Sequence, residues 1–184
     1  MIRLLLVDDQ DIFRQGLATL LSIEEDLEVI AQANNGNSAI ALAEKLQPDV
    51  ILMDIQMPIC NGVTATREIC RRYPWMRILV LTTFDDDEYI GQSLQAGAKG
   101  YLLKRKPAEE MAMAIRAVNH GYAQLSPEVA PKVFAQIKPI DSANTRLIDI
   151  LSFRELEVLQ LVGHGQNNRE ISTTLHLSIG TVKN

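Results

Sequence analysis

The chain has 184 residues, of which 47% are hydrophobic and 22% charged, a composition that excludes disordered and fibrous classes. This length accommodates one domain of ordinary size and a smaller second unit. With 18 basic and 23 acidic residues, the net charge of -5 argues against a protein whose whole surface binds nucleic acid.

Strand and helix patterns alternate from the amino terminus to about residue 120. Short apolar runs predict five buried strands, at residues 2–7, 27–33, 50–53, 77–81 and 100–103. After each strand, apolar residues recur at intervals of three and four, such as Phe13, Leu17 and Leu20 after the first strand, which predicts five amphipathic helices with one buried face each. This strict alternation predicts an α/β fold in which a parallel sheet is covered by helices on both faces.

The pattern changes after residue 122. Prolines and a polar patch predict a linker over residues 123–147, in which Ser126 and Pro127 would begin a short helix reaching Ile137. A second helical block follows over residues 148–184, where Ser152 and Glu155 have the spacing of a capping box. We therefore expect an α/β domain over residues 1–122, the linker, and a small all-α unit.

Neither a membrane segment nor a zinc site is indicated. The first apolar run is too short for a signal peptide, and no run approaches the ~20 apolar residues of a membrane span. Cys60 and Cys70 form no CxxC pair, and the histidines are scattered along the chain. We expect a soluble cytoplasmic protein with reduced thiols.

Acidic residues directly follow or end two of the predicted strands. Asp8 and Asp9 follow the first strand, and Asp54 ends the third. In an open parallel sheet, ligands bind beyond the carboxyl ends of the strands where the strand order reverses, and in the order 2-1-3-4-5 this point lies between strands 1 and 3. Carboxylates brought together there repel each other unless a hard cation such as Mg²⁺ binds. The sequence therefore predicts an acidic Mg²⁺ site.

The fourth and fifth strands end in residues suited to a phosphoryl group. Thr82 offers a hydroxyl, and Lys104 offers a mobile ammonium that can neutralise phosphoryl oxygens. With Asp54 as the nucleophile and a bound metal, these groups predict a phosphoryl-accepting site that works by positioning and charge neutralisation. The predicted catalytic residues are thus Asp54, Lys104 and Thr82.

Four stretches, LLVDD, VILMDIQMP, LTT and KGYLLK, resemble the receiver domain of two-component response regulators. The resemblance covers about residues 1–122 and implies a five-stranded, doubly wound, flavodoxin-like receiver with strand order 2-1-3-4-5. It also implies that Asp54 accepts a phosphoryl group from a sensor histidine kinase.

The same resemblance assigns further roles. Asp8, Asp9, Asp54 and the backbone carbonyl of Gln56 would hold Mg²⁺. Thr82 and Tyr101 would form a switch pair that responds to the phosphoryl group. Two positions depart from common family patterns. Asn61 replaces a frequent Asp and fills a helix cap equally well, and Arg105 follows Lys104 where proline is frequent in other subfamilies.

Residues 152–159, 165–171 and 177–184 resemble the LuxR-type helix-turn-helix of NarL/FixJ regulators. The resemblance implies a recognition helix that begins near Gly180 and enters the major groove. Arg169, Thr181, Val182 and Lys183 would lie near DNA. Because about one turn of that helix is present, we expect this DNA-binding domain to be incomplete, and specific DNA binding only from the full-length protein.

The resulting hypothesis is a phosphorylation-controlled transcription regulator that forms a homodimer on activation and is not an enzyme beyond Mg²⁺-dependent self-phosphorylation and autodephosphorylation. An aspartyl-phosphate phosphatase would need a second Asp where Gln56 stands. A dinucleotide-binding domain would need a glycine-rich turn after the first strand. The alternative that stays open is a phosphorylation-independent, receiver-like interaction module.

Overall fold

The structure, a computed structural model, describes residues 1–83, 87–136, 157–158, 161–163, 166–175, 177–178 and 181. The chain divides into two compact units, Met1–Ile137 and Lys138–Asn184. No helix within the described residues is long and apolar enough to cross a bilayer.

The first unit alternates strands and helices along the chain. Its strands are β1 (Ile2–Val7), β2 (Leu27–Ala33), β3 (Val50–Asp54), β4 (Arg77–Thr82), β5 (Gly100–Leu103) and β6 (Gln124–Leu125). Its helices are α1 (Asp11–Leu21), α2 (Gly36–Leu46), α3 (Gly62–Arg72), α4 (Asp87–Gln95), α5 (Ala108–Asn119) and α6 (Ala130–Gln136). The five predicted strands and the five predicted helices are therefore confirmed.

All strands of the sheet are parallel, in the order β2-β1-β3-β4-β5-β6. The predicted order of the first five strands is confirmed, and the short strand β6 adds a sixth that was not predicted. It pairs with β5 through the backbone hydrogen bonds from Gln124 N to Lys99 O (3.0 Å) and from Ser126 N to Tyr101 O (3.1 Å). A strand of two residues is too short to produce a periodic sequence pattern.

The sheet separates two hydrophobic cores, as expected for a doubly wound fold. On one face, helices α1 and α5 contribute residues such as Leu17, Leu21 and Ile115. On the other, α2, α3 and α4 contribute residues such as Ala43, Ile69 and Ile90. Every residue of β3 is buried, which explains its continuous apolar pattern and makes Asp54 a buried carboxylate at its end.

The first compact unit continues past residue 122, so the predicted linker begins inside it. Helix α6 begins at Ala130, later than predicted, because residues 126–129 form a turn in which Val129 N and Ala130 N both donate to Ser126 O. Pro131 then lies in the first helical turn, where its missing N–H leaves no bond unmade. The fully buried Val129 joins the same core as Tyr101.

In the second unit, helix α7 spans Asn168–Thr174. Asn167 caps it, since its side chain accepts from Glu170 N while the Glu170 side chain accepts from Asn167 N. The Ser178 hydroxyl accepts a hydrogen bond from Thr181 N (3.1 Å), an arrangement typical of a helix start. The capping box predicted at Ser152 and Glu155 lies outside the described residues.

Candidate functional site

The carboxyl ends of β1 and β3 bring three aspartates together. Carboxylate oxygens of Asp8, Asp9 and Asp54 all lie within 4.8 Å of one another, close enough to hold one metal ion. Asp8 and Asp54 are buried, whereas Asp9 is exposed. Both β1 and β3 are central and adjacent in the sheet, so the strand order itself places these side chains next to each other.

Lys104 lies between the two buried carboxylates. Its Nζ is 2.6 Å from Asp8 Oδ2 and 3.1 Å from Asp54 Oδ2, and each of the three side chains is only 5% exposed. Lys104 reaches this position because it follows β5 directly, and its backbone N–H donates to Thr82 O (2.7 Å). One ammonium thus serves two carboxylates in a site that is largely removed from water.

The backbone fixes the other carboxylate oxygens. Ile55 N donates to Asp54 Oδ1 (2.9 Å), and Gln10 N donates to Asp8 Oδ1 (3.0 Å). Burial nevertheless raises the pKa of Asp54 to about 6, because it disfavours the charged form, and the nearby charge of Asp8 adds to this while Lys104 opposes it. A carboxylate with a pKa this high is more basic than an ordinary aspartate, as suits a nucleophile.

The amino-terminal end of α3 packs directly against Asp54. Gly62 N donates to Ile55 O (2.9 Å), and a Cβ atom at Gly62 would lie 1.9 Å from Asp54 O. The Asn61 side chain accepts from Thr64 N (2.9 Å), which confirms the predicted cap. A glycine at position 62 is therefore required by the close approach of α3 to β3, a role that the sequence pattern did not indicate.

Thr82 and Tyr101 occupy neighbouring strands beside this cluster. Thr82 is buried at the end of β4, one residue after the partner of Asp54 in the sheet. Tyr101 is completely buried within β5, and Ser126 donates to its carbonyl oxygen from both its N–H (3.1 Å) and its hydroxyl (3.4 Å). The ring of Tyr101 thus faces inward in this structure.

Gln56 lies exposed two residues after Asp54.

Two residues of α1 contact the cluster without having been predicted as site residues. The Phe13 ring centroid lies 4.9 Å from Lys104 Nζ. Arg14 donates from Nη1 to the backbone oxygen of Asp8 (2.6 Å) and also pairs with Asp11. The periodic sequence pattern identified Phe13 only as a position on the buried face of a helix, because a pattern cannot show which charge an aromatic ring will meet.

The predicted DNA contacts are only partly within the described residues. Arg169 is exposed in the first turn of α7, and Thr181 is exposed and helical. Val182 and Lys183 lie outside the described residues.

The parallel sheet carries a carboxylate cluster at its topological switch point and a lysine directly after the fifth strand, the arrangement that the resemblance to receiver domains predicts. The response regulator receiver domain family matches residues 4–116, and the family of bacterial regulatory proteins of the luxR type matches residues 149–184. The chain belongs to the two-component response regulators that join a receiver domain to a LuxR-type DNA-binding domain. Such proteins are phosphorylation-controlled transcription regulators and not enzymes in the usual sense.

Individual relatives agree with this assignment. The chain is 43% identical over 192 residues to the transcriptional regulatory protein LnrK of Bacillus subtilis (strain 168), an alignment that covers 100% of this chain and 87% of LnrK. The crystal structure of the response regulator ChrA of a heme-sensing two-component system has 37% identity and a TM-score of 0.62, covering 99% of this chain and 85% of ChrA. A structure of two RcsB dimers bound to two parallel DNAs has 25% identity and a TM-score of 0.67, covering 99% of this chain and 86% of RcsB.

Proposed function

We propose that Asp54 accepts a phosphoryl group from a histidine of a sensor kinase and that this modification controls DNA binding by the full-length protein. The observation that carries the proposal is the position of Lys104, whose Nζ lies within 3.1 Å of a carboxylate oxygen of both Asp8 and Asp54. An ammonium at this point neutralises the oxygens of a phosphoryl group on Asp54 as it neutralises the two carboxylates now.

The transfer follows from ordinary acyl phosphate chemistry. A carboxylate oxygen of Asp54 attacks the phosphorus of phosphohistidine, a P–O bond forms, the P–N bond breaks, and the imidazole leaves and takes up a proton. The phosphoryl group is removed by hydrolysis. Water attacks the phosphorus, and Asp54 returns to a carboxylate with release of inorganic phosphate. The hydrogen bond from Ile55 N to Asp54 Oδ1 favours the orientation in which Oδ2 contacts Lys104.

Mg²⁺ is the metal that the donor set fits best. The site combines three carboxylates with one ammonium, which leaves an excess of negative charge, and its ligands are all oxygens. Asp8, Asp9, Asp54 and the backbone carbonyl of Gln56 would hold the ion. When bound, it would neutralise phosphoryl oxygens and orient the donor.

Thr82 and Tyr101 would transmit the modification. Thr82 is buried at the end of β4, directly after the residue that pairs with Asp54, and its hydroxyl would bond to a phosphoryl oxygen and move toward it. Tyr101 is already buried, so we propose that phosphorylation stabilises an inward position that the ring can occupy beforehand and shifts a population between two states.

In the full-length protein, the LuxR-type domain would bind DNA through Arg169, Thr181, Val182 and Lys183. The exposure of Arg169 at the amino-terminal end of α7 and the capped helix start at Ser178 support this assignment. The RcsB dimers seen on DNA support homodimerisation on activation as the corresponding step for this chain.

The test is the intact mass of the chain after incubation with Mg²⁺ and acetyl phosphate. We expect one phosphoryl adduct on the wild type and none on Asp54→Asn. Asp49→Asn, the same chemical change at the opposite end of β3, is the matched control and should be phosphorylated like the wild type. An adduct that persists on a folded Asp54→Asn chain, or that is absent from a folded wild type, would overturn the proposal.

A further inference from the structure

The ammonium of Lys104 has an aromatic neighbour as well as two anionic ones. Its carboxylate partners belong to β1 and β3, and the Phe13 ring, with its centroid 4.9 Å from Nζ, approaches it from α1. This distance is within the range of a cation–π interaction, in which the negative face of the ring attracts the cation. The side chain of Lys104 is only 5% exposed, so solvent weakens the attraction little.

Phe13 is held in this place by the fold. It lies in the first turn of α1, and its partly buried side chain packs against the core that α1 and α5 share. Arg14, the next residue, donates to the backbone oxygen of Asp8 (2.6 Å), which ties the start of α1 to the end of β1. These contacts fix the start of α1, and with it the Phe13 ring, relative to the acidic cluster.

The ionic partners of Lys104 must change during the reaction that we propose, whereas its contact with the Phe13 ring can persist. Lysine has a flexible stem with several rotatable bonds, and its ammonium loses a carboxylate partner when Asp54 becomes an acyl phosphate. We infer that Phe13 is a positioning residue for the phosphoryl transfer: its ring keeps the Lys104 ammonium at the carboxyl ends of β1 and β3 while the partner changes from Asp54 to the phosphoryl group. This inference rests on the proposed function of Asp54.

The experiment compares initial rates of phosphorylation by acetyl phosphate at saturating Mg²⁺, measured by intact mass. We expect Phe13→Leu to lower the rate roughly three- to tenfold, the range that a partly desolvated cation–π contact supports. Phe13→Met, whose unbranched side chain reaches further than leucine, should lower the rate similarly. Phe13→Tyr, which keeps the ring face, should stay within about twofold of the wild type. Phe134→Leu makes the same change at an exposed position of α6 and should leave the rate unchanged.

A double-mutant cycle separates positioning of Lys104 from general packing. In a Lys104→Ala background, Phe13→Leu should cause no further decrease in rate, because the ring then has no ammonium to hold. An equal decrease in both backgrounds, or a Phe13→Tyr chain as slow as Phe13→Leu, would overturn the inference. So would a Phe13→Leu chain that reacts like the wild type.

The two proposals fail in different ways. A folded wild-type chain that takes no adduct overturns the role of Asp54, and the role of Phe13 falls with it. If the wild-type chain is phosphorylated but Phe13→Tyr and Phe13→Leu react equally fast, only the role of Phe13 is overturned. Thermal unfolding of each variant shows whether a slow rate reflects a lost fold, and Phe13→Met supplies the aliphatic comparison if Phe13→Leu does not fold.

Discussion

Two charge clusters in the first unit have similar ion pairs but differ in their exposure to solvent. In the buried one, Lys104 lies between Asp8 and Asp54. In the other, at the surface, Arg116 of α5 pairs with Glu24 and Asp26, which lie between α1 and β2, at 2.6 Å each. Each cluster joins one cation to two carboxylates.

The pKa of one carboxyl group in each cluster shifts, and the two shifts have opposite directions: the pKa of Asp26 is lowered and that of Asp54 is raised. Hydrogen bonds from Arg116 lower the pKa of Asp26, and hydrogen bonds to Asp26 and Glu24 raise the pKa of Arg116, so the charged forms are favoured. In the buried cluster, desolvation raises the pKa of Asp54 to about 6 although Lys104 is within 3.1 Å. Burial therefore decides the sign, since a single ammonium offsets only part of the cost of removing two carboxylates from water.

This difference is the one that we expect between the proposed phosphorylation site and a cluster that only stabilises the fold. The Arg116 cluster links α5 to the segment after α1 and gains stability from its charges. The Lys104 cluster keeps an ionisable carboxylate in a buried environment that disfavours its charge. Electrostatic interactions with an added divalent cation or phosphoryl group are strong in such an environment. Removing a carboxylate charge should therefore stabilise the protein at Asp54 and destabilise it at Asp26.

The largest effect is expected where the backbone holds the buried cluster together. Gly62→Ala would bring a Cβ atom to 1.9 Å from Asp54 O, and neither backbone can move without displacing the carboxylate. We expect a loss of about 3 kcal/mol or more in the free energy of unfolding, measured with denaturant, and loss of phosphorylation.

Gly16→Ala is the control for this change. Nothing lies within 4 Å of a Cβ atom at Gly16, in the middle of α1. Alanine is the better helix former, so this variant should gain about 0.5 to 1 kcal/mol. A Gly62→Ala chain that is as stable as Gly16→Ala would contradict the packing of α3 against β3.

A smaller effect should appear when the charge of Asp54 is removed. Its folded-state pKa of about 6 lies above the unfolded value of 3.8, so its contribution to stability is fully present below pH 3.8 and is lost as the pH rises through 6. Asp54→Asn escapes this loss. Without divalent cations, we expect Asp54→Asn to be more stable than the wild type by up to about 3 kcal/mol at pH 8.

The comparison in acid completes that prediction. Between pH 6 and pH 4 the advantage of Asp54→Asn should shrink toward zero, as measured by thermal or denaturant unfolding at each pH. A difference that is constant with pH would show that the carboxylate does not titrate in this range.

The sequence predicts the buried cluster better than the surface one, for a physical reason. Asp8, Asp54 and Lys104 each follow or end a buried strand, and parallel strands bring their carboxyl ends to one edge of the sheet. Arg116 and Asp26 are 90 residues apart in the sequence, and their pair lies at the surface. Surface charges follow no periodic pattern, so their pairing depends on how α5 packs against the rest of the unit.

The sequence also did not predict strand β6 or the contact between Phe13 and Lys104. Strand β6 has two residues, and its approach to β5 depends on Gly100, where a Cβ atom would lie 2.7 Å from Gln124 O. A glycine at a strand start is the one signal that could have indicated it. Phe13 was predicted to be in a core, and only the three-dimensional arrangement shows that the ring also meets Lys104.

The smallest effect is expected at the surface cluster, with the opposite sign. The lowered pKa of Asp26 means that its contribution to stability is present above its unfolded pKa and lost as the pH falls through the folded value. Asp26→Asn should therefore be slightly less stable than the wild type at pH 7, and the two chains should converge in acid. Because the pair is exposed, 1 M salt should reduce the difference in unfolding temperature, whereas the Asp54→Asn difference should persist. If Asp26→Asn proved more stable at pH 7, burial would not be what distinguishes the two clusters.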